Sequence, residues 1–215
     1  MTTAFVKPRL RGWLHTGALP VTLVAGFALV ALGPTLQARL ASAIYAVTSG
    51  LLFGISATYH RGTLGPRLAE VLRRFDHANI YLIIAGTYTP FALLALSGAA
   101  RIAVVSVIWG GALMGVLFRV FWMGAPRWLY TVLYLALGWA AIFVMPQLLE
   151  GAGLAAVVLV AVGGVFYSAG AIVYGLRRPD PSPAWFGFHE VFHAFTLAAY
   201  LVQYIAVSIV VYSHV

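Results

Sequence analysis

Long apolar runs separated by short polar links set the pattern of this chain. The runs cover residues 16–36, 40–59, 78–96, 102–122, 128–148, 154–176 and 189–212. Each is close to the 20 or so residues a helix needs to cross a hydrocarbon core about 30 Å thick. Apolar side chains fill the runs without alternation, so the pattern predicts helices and not the strands of a membrane barrel. The expected fold is all-α and integral to a membrane, a seven-helix bundle forming a single domain over residues 1–215.

Charge in the links adds an orientation. Counting links alternately, one side holds Lys7, Arg9, Arg11, Arg61, Arg67, Arg73, Arg74, Arg119, Arg127, Arg177 and Arg178, and the other only Arg39 and Arg101. Cations collect on the cytoplasmic side of membrane proteins. The amino terminus is therefore expected in the cytoplasm and Val215 outside, in a multi-pass protein of the cell's inner (plasma) membrane. The first run has no small-residue cleavage site and is read as a retained first helix.

Composition agrees. The chain is 62% hydrophobic and 8% charged, against about 25% charged in soluble domains. The net charge of +8 does not point to nucleic acid, because the arginines sit in the links. The absence of cysteine excludes disulfides, thiolate metal sites and thiol nucleophiles, so any metal must be held by His, Asp or Glu. Gly111 with Gly115, Gly164 with Ser168, and Gly170 with Tyr174 read as close helix packing. Pro20, Pro90 and Pro146 predict kinks or helix ends, and Trp122, Trp128, Tyr130 and Trp185 read as interfacial aromatics.

Ionisable residues at membrane depth mark functional sites by default. His60 closes the second run, Asp76 precedes the third, and His189 with His193 open the seventh, all at the cytoplasmic end. His189 and His193, four apart, share a helix face and can reach one ion. His60 supplies a third nitrogen if the second and seventh helices pack together, and three imidazoles with an open position are the donor set of catalytic zinc. Asp76 has two readings: a helix cap or arginine partner, or the proton acceptor for a water on the metal. Ser56, one turn before His60, either orients Asp76 or a ligand, or bonds back to its own helix. His15, His77 and His214 are read as interfacial or tail residues.

The segments Ser56-Ala-Thr-Tyr-His60, Asp76 ahead of Ile80-Tyr-Leu-Ile-Ile-Ala-Gly-Thr-Tyr-Thr-Pro90, and His189-Glu-Val-Phe-His193 resemble the progestin and adipoQ receptor family, in particular its short bacterial hemolysin III branch. The resemblance covers essentially the whole chain. It implies a seven-helix bundle with an inward amino terminus, a zinc ion on His60, His189 and His193, a water held towards Asp76, and Ser56 as the serine of the first motif. Eukaryotic members resemble alkaline ceramidases, and bacterial relatives are linked to haemolysis and membrane homeostasis. The implied partners are membrane lipids, with a ceramide-like substrate, and no peptide hormone is expected.

Four functions follow as expectations. The first is a zinc-dependent lipid amide or ester hydrolase with Asp76 and Ser56 in the catalytic machinery, and the second a membrane sensor with structural zinc. The third, an intramembrane zinc protease, comes from His189-Glu190-Val-Phe-His193, which also spells HExxH. In the bland reading of that motif Glu190 faces the Arg177 and Arg178 link. The fourth, a pore-forming haemolysin, finds no polar stripe along any run to line a conduit.

Overall fold

The computed structural model describes residues 7–213. Its helices are α1 (Trp13–Leu32), α2 (Leu36–Arg61), α3 (Pro66–Pro90), α4 (Gly98–Phe121), α5 (Arg127–Gly138), α6 (Met145–Leu176) and α7 (Phe188–Ser213). Among the described residues there is no strand, only an isolated bridge between Ser182 and Phe186. Six helical stretches are long and apolar enough to cross a membrane, and the fifth, Arg127–Leu176, runs for 50 residues through both α5 and α6. His214, read from the sequence as a tail residue, lies outside the described residues.

Local chemistry explains several helix ends. Thr35 caps α2 by accepting from the Ala38 N–H at 3.1 Å. Arg39 and Arg101, the two cations of the sparsely charged side, donate to the carbonyls of Gly33 and Leu96, each at 2.8 Å. Three expectations are corrected. The third helix begins at Pro66 instead of near residue 78, because an arginine-rich, polar stretch extends it beyond the apolar run. Pro146 does not kink a span but sits in the first turn of α6, where its missing N–H costs nothing. The fifth run leaves the α-helical pattern at Gly138 and continues as a tighter 3-10 turn over Trp139–Val144. Tyr88 holds that turn, its hydroxyl donating to Gly138 O and accepting from the Ala141 N–H, both at 2.7 Å. Pro90, at the end of α3, leads into a wider π-type turn, Phe91–Ala95.

Helices adjacent in sequence pack together, and α1 also packs on α7, which closes the arrangement into a ring. The central helix is α3, which touches α2, α4, α5 and α7 and has the most buried of the apolar stretches. Small residues allow the close approaches. A Cβ on Gly86 would run into Thr48 of α2, whose hydroxyl is tied to the Ile44 and Tyr45 carbonyls at 3.0 Å. Gly111 and Gly115 serve two neighbours, Leu137 of α5 and Tyr81 of α3. Large apolar side chains such as Phe27, Phe121 and Phe143 cover the outside, as a lipid solvent requires.

Candidate metal centre

The two histidines singled out by spacing and the third singled out by depth do meet. His189 Nε2 lies 3.2 Å from His60 Nε2, and the rings of His189 and His193 are 4.4 Å apart. One nitrogen from each of His60, His189 and His193 lies within 4.8 Å of the others. Two nitrogens on one tetrahedral zinc, at about 2.0–2.1 Å from it, stand about 3.3 Å apart. The donor set therefore fits a divalent ion that prefers imidazole, and His60 and His193 are buried while His189 is half-buried.

The helix ends that carry His60 and His189 are restrained. At the start of α7 the Phe188 N–H donates to Asp180 Oδ1 at 2.8 Å and the Gly187 N–H to Glu190 Oε2 at 2.9 Å. These bonds satisfy donors that a helix start leaves open and fix the turn that presents His189. His60 lies in the last turn of α2, where its carbonyl accepts from Lys7 Nζ at 2.6 Å. Burial, with the nearby Arg11 and Arg61 charges, pulls the Lys7 ammonium below its usual pKa. The segment ahead of α1 is also stitched to the loop before α7, by Arg9 N–H to Ala184 O and Leu10 N–H to Trp185 O. Arg9 stacks on Trp185, which is exposed as an interfacial aromatic should be.

Asp76 does not cap a helix, because α3 starts at Pro66 with Gly65 in the cap position. Nor does it take Arg74, which binds Glu70 at 2.5 Å and the Val120 carbonyl at 2.8 Å. Its Oδ2 instead lies 3.7 Å from His60 Nε2, beside the cluster. Ser56 is close enough to interact with Asp76, and its hydroxyl is hydrogen-bonded to His15 Nδ1 at 2.8 Å.

Four sequence readings change here. His15 is not interfacial: it is 2% exposed, and its ring stacks on His193 at 3.8 Å with the planes 9° apart. The clue to it was depth, since it opens the first helix at the same arginine-rich end, but it has no spacing partner. His77 is likewise half-buried, tied to Arg73 O at 2.7 Å and to the Tyr174 hydroxyl at 3.2 Å. Glu190 pairs with neither Arg177 nor Arg178 but with Arg11 and with the Gly187 N–H at the end of that link. It is 1% exposed, one oxygen bound by Arg11 and the other by the Gly187 N–H, so the HExxH carboxylate is committed to structure. Tyr130, read as interfacial, is buried under Arg119.

The cluster opens onto a cavity of about 150 Å³ between α3, α5, α6 and α7. His189, His193 and Asp76 line one end, and Ile80, Ile84, Phe91, Met145 and Leu148 make much of the rest apolar.

A family model described as "Haemolysin-III related" matches residues 3–204 of the chain. A hemolysin-3 homolog of Bacillus subtilis (strain 168) is 34% identical over 152 residues, 69% of this chain and 67% of the relative. The hemolysin-3 of Bacillus cereus is 30% identical over 173 residues, 80% of this chain and 76% of the relative.

Proposed function

The chain belongs to the haemolysin-III-related family, and on that premise we propose that this multi-pass membrane protein is a zinc-dependent hydrolase of an amide or ester bond in a lipid. The observation that carries the reading is the junction of three imidazoles and a carboxylate with an apolar cavity. His60, His189 and His193 hold the ion. When bound, it supplies Lewis-acid polarisation of a carbonyl and acidification of water. Asp76 accepts the proton of the attacking water and returns it to the leaving nitrogen or oxygen. Ser56, anchored on His15, orients Asp76, while the cavity holds the acyl chain and excludes bulk water.

Purified protein incubated with lipid extracts and read by mass spectrometry is expected to cleave an amide or ester lipid. Asp76→Asn is expected to lose that turnover while keeping its zinc. Failure of the wild type to cleave any such lipid would sink the hydrolase. The 3.7 Å approach of Asp76 to His60 also favours a second reading, in which Asp76 completes a closed shell around a structural ion in a membrane sensor. In that case Asp76→Asn loses zinc as well.

The membrane topology in this reading has seven crossings. At 1.5 Å per residue the stretch Arg127–Leu176 is about 75 Å long, enough to cross twice, and it is interrupted by the turn at Trp139–Val144 and by the non-helical Gly153. The arginine-rich end, with the metal cluster, faces the cytoplasm. The cysteine-free sequence allows single-cysteine labelling with an impermeant maleimide in cells whose inner membrane stays sealed. Ser97→Cys and Glu150→Cys are expected to react and Thr63→Cys to be protected. The reverse pattern would refute the orientation, and protection of Glu150→Cys the double crossing.

A further inference from the structure

Arg119 is a buried cation with no counter-charge among the described residues. The sequence has five acidic residues. Glu70 pairs with Arg74, Glu190 with Arg11, Asp180 caps α7, and Asp76 lies against His60. Glu150 is exposed at the opposite end of the bundle, next to Gly151, which abuts Ala95. Arg119 is 2% exposed and heads the largest fully buried side chains among the described residues. Its Cζ sits 4.2 Å above the Tyr130 ring, while Nε and Nη1 have no hydrogen-bond partner.

The neighbourhood repeats the pattern. Arg127, half-buried, lies 5.3 Å over the Tyr174 ring with a buried, unpartnered Nη1. The Tyr130 and Tyr174 rings, 6.3 Å apart, thus each carry a guanidinium. Thr131 Oγ1 and the Tyr81 hydroxyl nearby are also buried without partners. Stacking on an aromatic face offsets only part of the cost of desolvating a guanidinium. Arginine cannot shed its proton, so the remaining cost is left for an anion from outside the chain to offset.

We propose that Arg119 and Arg127 form an oxyanion site for a phosphate group, entered at the connection between α4 and α5. Arg119 lies in the last turn of α4 and Arg127 is the first residue of α5. The exposed Trp122 and Trp128 flank this connection and set it at the depth of lipid headgroups. A guanidinium fork matches phosphate oxygens in bidentate fashion. Tyr174 of this site also faces the His189 ring, 5.9 Å away, but the proposal does not depend on the hydrolase reading.

Native mass spectrometry of the intact, detergent-purified protein tests it with three probes: phosphatidylglycerol, diacylglycerol with the same acyl chains, and inorganic phosphate. Wild type is expected to retain phosphatidylglycerol under activation that strips diacylglycerol, a comparison that needs no variant. Arg119→Gln and the more accessible Arg127→Gln are each expected to weaken retention about tenfold. Phospholipid that persists in millimolar inorganic phosphate identifies a headgroup as the source, and phospholipid displaced by it identifies free phosphate. Diacylglycerol held as firmly as phosphatidylglycerol, or both variants retaining it like wild type, overturns the proposal.

Discussion

Replacing His193 by alanine is expected to strip purified protein of the proposed zinc and abolish the proposed lipid turnover, because it takes one of the three nitrogens that cluster among the described residues and removes the ring on which His15 stacks. An ion bound only by the folded state stabilises it, by about 2.7 kcal/mol at a hundredfold excess over its dissociation constant. A chelator is therefore expected to lower the melting temperature of wild type by about 5–10 °C and leave His193→Ala unmoved. Acid acts in the same direction. Protons compete with the metal for neutral imidazole, so occupancy and its share of stability fall as pH falls. Elemental analysis across a pH series checks both. Equal zinc in wild type and His193→Ala would remove the metal centre from this account.

Glu190→Ala is expected to cost about 3 kcal/mol, the low end for breaking a buried ion pair, since Arg11 keeps 14% of its side chain in solvent. The substitution leaves a guanidinium largely desolvated and reopens the Gly187 N–H at the start of the ligand-bearing helix. Melting in detergent should drop by about 6–12 °C. Glu190→Gln, which keeps an acceptor for Gly187 but not the charge, should fall between. Folded Glu190→Gln is expected to keep its lipid turnover. If that variant folds normally and its turnover collapses as in Asp76→Asn, Glu190 is part of the chemistry and the HExxH reading returns.

What could be read in advance divides along physical lines. Helices facing lipid are apolar all round, so the runs stood out in the sequence. The start of α3 did not, because Arg67, Glu70, Arg73 and Arg74 make its first turns resemble a polar link. The change of helix type after Gly138 was invisible to hydropathy, since residues 139–144 are as apolar as their neighbours and are held by Tyr88 from a distant helix. His189 and His193 announced themselves by a four-residue spacing, and His60 by sharing their depth. His15 has only depth to recommend it. The Arg11–Glu190 pair joins residues 179 apart and has no local signature at all.

His60 and His189 are separated by 129 positions, and two of the three clustered rings belong to α7. A ribosome working through this message delivers one imidazole early and the other two close to the end. A nascent chain stalled before Phe188 would carry one of the three clustered rings, so an ion could be held at this site only once synthesis has passed His193.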